Sequence, residues 1–104
     1  MVNCIAVDDD AAVQLSEMFR LMGDASRLRI IAACLSGPVC VSNLAERTGL
    51  SASLVSHHLR LLRAARILRS ERQGKNVFYS AADHHIRRVI EDMTAHIREP
   101  DVDR

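Results

Sequence analysis

Two histidines and two carboxylates near the end of the chain have the residue types and the spacing to hold a metal ion. They are Asp83 and His85, followed eleven residues after His85 by His96, with Glu99 close behind. Imidazole nitrogens and carboxylate oxygens in equal number suit a tetrahedral Zn(II) ion. All four lie in DHHIRRVIEDMTAHIRE, residues 83–99, where Ile86, Val89, Ile90, Met93 and Ile97 recur as one stripe of a helix. His85 and His96 are about three turns apart, so they point roughly the same way but sit about 16 Å apart along the axis. One helix therefore cannot close the four ligands around one ion. Two copies packed antiparallel about a two-fold axis can, because the start of each then meets the finish of the other. The stripe with its polar ends also suits an ordinary packed terminal helix whose His and Glu are solvated. The elements upstream must separate the two.

Residues 41–65, VSNLAERTGLSASLVSHHLRLLRAA, carry the most specific local pattern. A short helix over about 42–48 stops at Gly49, and Ser51 can cap a second helix over about 52–64. On that second helix Val55, Leu59 and Leu62 share one face, while Ser53, Ser56, His57 and Arg60 share the opposite one. Two helices joined by a tight glycine turn, the second with a small, polar, cationic outer face, form a helix-turn-helix. Small hydroxyl side chains let such a helix sit deep in a major groove, where His57 and Arg60 can reach bases or phosphates. An ordinary helical hairpin is the alternative. Residues 67–72 and 76–80 then read as two strands around Gln73-Gly74-Lys75, a hairpin in the position of a wing. Its tip offers Arg72, Lys75 and Asn76 to phosphates or a minor groove.

Before these come a helix from Asp10 or Ala11 to about Met22, with Val13, Met18 and Leu21 or Met22 inward, and a second to about Leu35. The second is capped by Asp24 or Ser26, carries Leu28, Ile31 and Leu35 at helical spacing, and is broken by Ser36-Gly37-Pro38. Residues 1–9 read as a flexible arm, 10–100 as one DNA-binding and dimerisation domain, and 101–104 as a tail. The fold class expected is mainly α with a small β-hairpin, a homodimeric winged helix-turn-helix.

The bulk numbers agree. With 104 residues there is room for one domain. One Tyr and two Phe make its core aliphatic. No apolar run is long enough to span a bilayer and no basic-plus-apolar leader opens the chain, so a cytoplasmic protein with no membrane partner is expected. Three cysteines, Cys4, Cys34 and Cys40, are too few and too odd for a disulfide scaffold. The net charge of +1 hides a polarised distribution, because residues 60–75 hold six cations against Glu71 alone. Such a segment is the electrostatic footprint of nucleic acid.

GDASRLRII, CVSNLAERTGLSASLVSHHLRLLR, the QGKNVFYS hairpin and the ligand pattern Asp83, His85, His96, Glu99 together resemble the ArsR/SmtB family of metal-responsive winged-helix repressors. The resemblance runs from about Val13 to Glu99. It implies a homodimer that binds double-stranded operator DNA when apo and leaves it on binding Zn(II), with no organic cofactor. It also implies that the free ring nitrogen of His96 donates to backbone near Arg66. A second family site would use Cys4, Asp8 and Cys40, but Ser42 and Asn43 stand where that site's further ligands occur. Cys34 reads as a small core residue, His58 as the edge of helix packing, and His84 as solvated or structural. Nickel or cobalt response, cadmium response and cysteine-based switching remain open within the same fold. A hydrolytic zinc enzyme is disfavoured, since catalytic zinc keeps an open position in a pocket and no nucleophile or oxyanion donors accompany these ligands.

Overall fold

The computed structural model describes residues 6–101. In chain order they form α1 (Asp9–Met22), α2 (Ala25–Ala33), β1 (Val39–Cys40), α3 (Val41–Thr48), α4 (Ala52–Ala64), β2 (Leu68–Gln73), β3 (Asn76–Ala81) and α5 (His84–Arg98). Each of four helices starts at a polar cap whose side-chain oxygen takes a free backbone N–H. Asp8 accepts from Ala11, Asp24 from Arg27, Ser51 from Leu54, and Asp83 from His85 and Ile86. α3 has no such bond. It begins at Cys40 straight out of β1 and ends at Gly49, whose φ of 74° supplies the left-handed turn into α4.

The core is one aliphatic cluster beneath α4. Val55, Leu59 and Leu62 of α4, Leu44 of α3, and Ile30 and Ile31 of α2 are all essentially inaccessible, with Ile67 and Leu68 closing the β side. Burying one such side chain is worth roughly 1.5–3 kcal/mol, so this cluster fixes the attitude of α4 against its neighbours. α4 ends on Arg66, which takes a left-handed φ of 61° although it is not glycine. The N–H of Ile67 bonds to the carbonyl of Leu62 and that of Arg66 to Arg63, the paired closure of a Schellman cap. The chain is thereby turned directly into β2.

Four features depart from the sequence expectation. The hairpin is the larger part of a three-stranded antiparallel sheet in the order β1-β3-β2, with Val39 opposite Tyr79 and Cys40 opposite Phe78. A two-residue strand paired to a segment almost forty positions away leaves no local periodicity to read. Val13, expected inward, is 68% exposed; Leu21 and Met22 are buried as expected. α2 stops at Ala33 and turns Ile30, Ile31 and Cys34 inward, whereas Leu28 is left exposed. The N-terminal helix starts at Asp9 and takes Asp8 as its cap.

Among the described residues, His58 is the one buried polar side chain. Arg27 of α2 donates from Nε to its Nδ1 at 3.2 Å and from Nη1 to the carbonyl of Leu21 at 3.2 Å, so three helices meet there. The ring must be neutral at Nδ1 to accept that bond. Burial, aided by the charge of Arg27, holds its pKa below the ordinary 6.5. The unfolded chain then takes up the proton first, so stability is complete above about pH 6.5 and falls as pH drops below it. Urea midpoints measured at pH 8 and pH 5.5 should show that loss in the wild type and less of it in His58→Leu. At pH 8 the substitution should itself cost about 1–2 kcal/mol, because Arg27 loses its acceptor. At the α4 cap, Arg66→Gly should cost nothing or stabilise by up to about 1 kcal/mol, whereas Arg66→Val should destabilise in the same assay.

Candidate DNA interface and metal-ligand pairs

α4 presents Ser53, His57 and Arg60 to solvent at i, i+4 and i+7, opposite the buried Val55, Leu59 and Leu62. Ser56 lies half-buried at the margin of that face. Ser51 is at the helix entry, where its Oγ accepts the N–H of Leu54 at 3.1 Å, so its oxygen is engaged in capping while its hydroxyl proton can still be donated outward. The outer face is therefore small and polar at the N-terminal end and cationic further on, a shape that admits close approach to base edges.

The hairpin tip is a two-residue loop, Gly74-Lys75, between the paired residues Gln73 and Asn76. Gly74 has φ 63°, the conformation that a tight hairpin requires of its first loop residue. Arg72, Lys75 and Asn76 are all exposed there. Lower on the hairpin, Arg69 of β2 donates to the Ser80 hydroxyl of β3 at 3.2 Å and stiffens the pair.

The four sequence-predicted metal ligands fall into two pairs. Asp83 and His85 are together at the start of α5: Asp83 Oδ2 lies 3.5 Å from His85 Nδ1, and both side chains are more than half exposed. The other carboxylate oxygen, Oδ1, accepts the N–H groups of His85 and Ile86 and so caps the helix. These bonds, led by that from Ile86, hold the Asp83 carboxyl below the usual carboxylate range. It thus stays ionised with one oxygen directed outward. His96 and Glu99 are exposed at the far end of the same helix, Glu99 as its C-cap residue. No group of three or more His, Cys, Asp or Glu able to hold a metal ion forms within the described residues of one chain. That agrees with the three-turn separation of the pairs.

The second candidate set is described only in part. Cys4 lies outside the described residues, Asp8 caps α1 through Ala11, and the Cys40 Sγ lies 3.3 Å from the Ser42 hydroxyl. That hydrogen bond lowers the pKa of the Cys40 thiol. Cys34 is buried, and burial pushes its thiol up to about 12, which keeps it protonated and inert. His84 lies against His85 with ring centroids 4.0 Å apart and planes tilted by 37°. Sequence reasoning missed Arg27 as the partner of His58 and Arg87 as a bond from α5 to Leu35 in the turn after α2. Neither has a local signal, because both partners are distant in sequence.

A helix-turn-helix with a hairpin wing and a polar, cationic outer recognition face defines a DNA-binding regulator of the winged-helix class. Residues 24–70 match the profile of the bacterial regulatory protein, arsR family. The chain is 40% identical over 92 residues to the transcriptional repressor SmtB homolog of Synechocystis sp., an alignment covering 88% of this chain and 70% of that protein. It is 33% identical over 88 residues to the cadmium resistance transcriptional regulatory protein CadC homolog of Staphylococcus aureus, covering 84% and 73%. The homodimeric winged helix-turn-helix DNA-binding domain of Mycobacterium bovis Mb0332 has the same fold, with a TM-score of 0.83 over 100% of each chain at 18% identity. The chain belongs to the ArsR/SmtB family of metal-sensing transcriptional repressors. Among the described residues no helix is long and apolar enough to cross a membrane.

The two DNA-facing elements should separate by salt dependence. Replacing Lys75 by Ala should weaken binding to all sequences alike and flatten the slope of log K against log salt by about 0.9. Replacing Arg60 should in addition relax discrimination between sites by about 1–3 kcal/mol if it reads a base. Anisotropy titrations on a selected and a scrambled duplex, at several salt concentrations, give both quantities.

Proposed function

We propose that this chain is a cytoplasmic, zinc-responsive repressor. It acts as a homodimer that holds operator DNA when apo and releases it when Zn(II) is bound by Asp83 and His85 of one protomer with His96 and Glu99 of the other.

The observation that carries this reading is the state of the α5 stripe. Ile86 is buried and Ile90 packs against the core, but Val89, Met93 and Ile97 are 37%, 59% and 76% exposed. The helix leaves the body of its own chain with its apolar face uncovered. The radius of gyration, 15.7 Å, exceeds the roughly 13 Å of a compact domain this long. α1 adds an exposed Val13 and Phe19. A contiguous apolar face of this kind marks a protein interface, and a second α5 running antiparallel covers it while bringing the two ligand pairs together.

The donor set fits zinc. Two carboxylates and two imidazoles make a closed tetrahedral set of intermediate hardness. Nickel and cobalt commonly take six ligands, and the tail after Glu99 adds no histidine. A soft thiolate site for cadmium finds Cys40 bonded to Ser42, without the flanking thiol such a site needs. When bound, the ion supplies a cross-link between protomers. The chain's own residues prepare for it: the helix N-terminus keeps Asp83 ionised, and the 3.5 Å contact of its Oδ2 orients the His85 ring. Because α4 is fixed rigidly to the core, the spacing of two recognition helices follows the relative position of two protomers, and operator half-sites demand one spacing. By linkage, the ion weakens DNA affinity by the factor by which DNA weakens affinity for the ion.

Titrating the apo dimer on a duplex recovered by in-vitro selection with zinc, cobalt, nickel and cadmium should give the largest loss of anisotropy with zinc. The response should vanish in His96→Asn and Glu99→Gln, survive alkylation of all cysteines, and weaken as pH falls from about 7.5 to 6, since bound imidazoles must be neutral. A response to cadmium alone that alkylation removes would sink the reading in favour of a thiol sensor.

A further inference from the structure

α5 is tied to the rest of its own chain by very little. Ile86 is its only buried residue. Among the described residues, Arg87 makes the only side-chain hydrogen bond from α5 to another part of the fold: its Nη2 donates to the backbone carbonyl of Leu35. Its Nη1 lies 3.6 Å from Glu91 Oε2 one turn along, which steadies the guanidinium. The other hydrogen bonds of α5 side chains and cap, those of Asp83 and Thr94, stay within the helix and its cap.

The acceptor is well placed to transmit movement. Leu35 follows the buried C-cap Cys34 and bonds back through its own N–H to the carbonyl of Ala32. Four residues on, β1 begins, and Cys40 of β1 is also the residue from which α3 starts. A cationic side chain on a carbonyl at a helix C-terminus is favourable both as a hydrogen bond and with the helix dipole. α5 therefore has three connections to the parts that meet DNA, one of them the packing of Ile86 into the core beneath α4. The covalent one runs back through β3 into the wing, and the polar one runs through Arg87 into the helix-turn-helix.

We propose that Arg87 is a positioning residue for the allosteric response, the strap through which displacement of the first turn of α5 reaches α3 and α4. This rests on the zinc-sensing reading above. Arg87 is neither a proposed metal ligand nor part of the proposed DNA face. Its loss should therefore lower the coupling between the two ligands rather than the affinity for either.

The test compares the full-length wild-type dimer with Arg87→Met, which keeps the aliphatic stem and removes the donors, and Arg87→Lys, which keeps one charged donor. Operator affinity is measured with and without zinc, and zinc affinity without DNA. In Arg87→Met, apo operator affinity and zinc affinity should each stay within about threefold of wild type, while the loss of operator affinity caused by zinc shrinks at least about tenfold. Arg87→Lys should recover part of it. Zinc acting on Arg87→Met as strongly as on wild type overturns the proposal, and so does a loss of apo operator affinity as large as the loss of coupling. Hydrogen exchange without metal supplies an independent arm: Arg87→Met should speed exchange over residues 84–90 but not over α4. Unchanged exchange there overturns the strap. A wild-type dimer whose operator affinity ignores every metal sinks the sensing reading itself and is recognised before any variant is compared.

Discussion

Removal of one aliphatic face from water on each of α2, α3 and α4 is the interaction on which the rest of the molecule depends. With one Tyr, two Phe and no Trp in the chain, there is little aromatic mass to hold the helices. Interdigitated Ile, Leu and Val do it instead, and such side chains pack well only over a narrow range of helix positions. The recognition helix is consequently not free to tilt on its own. Any change in how it meets DNA must come from movement of a whole protomer or of the body α2–α3–α4 as a unit. The neutral His58 and Arg27 reinforce this at a polar point beside the cluster.

Against that rigid body, α5 is a weakly attached arm. Only its first turns are packed, and its last ones carry exposed apolar residues into solvent. The contrast in burial along a single helix separates two tasks. The buried end is packed on the DNA-binding body, and the bare end leaves its apolar residues uncovered by the chain's own described residues. One pair of candidate ligands lies at each end, and the helix is too long for its own two pairs to meet, so the proposed site requires a second chain. The chemistry at the packed end is likewise divided between the two oxygens of one carboxylate, one closing the helix and one facing outward.

Much of this was legible in the sequence where the causes are local. The boundaries of α4 follow from Ser51 as a cap and from the spacing of Val55, Leu59 and Leu62, and the structure has them at those positions. Gly49 and Gly74 marked turns because left-handed backbone is cheap only for glycine. What could not be read was long-range. β1 exists because Val39 and Cys40 meet Tyr79 and Phe78, and nothing near them says so. Val13 belongs to an apolar stripe, but periodicity tells which residues share a face and not whether that face is covered within the chain. Leu28 fits a helical period as well as Ile30 does, and only the placement of α3 and α4 selects between them; Leu35 packs against the core as expected. The candidate ligands were visible as spacing, yet a single chain can only separate them into pairs.

The central place of β3 in the sheet has one further consequence. Wing and α5 are consecutive segments joined through Ala82 and Asp83, while this helical arm sends a single buried residue into the interior. Such an arm is nearly modular: side chains beyond Ile90 can be exchanged for other donors without repacking anything beneath the recognition helix. A scaffold built this way can change the ion it answers to faster than it changes the sequence it reads, so diversity of inducer at constant architecture is the expected pattern of descent.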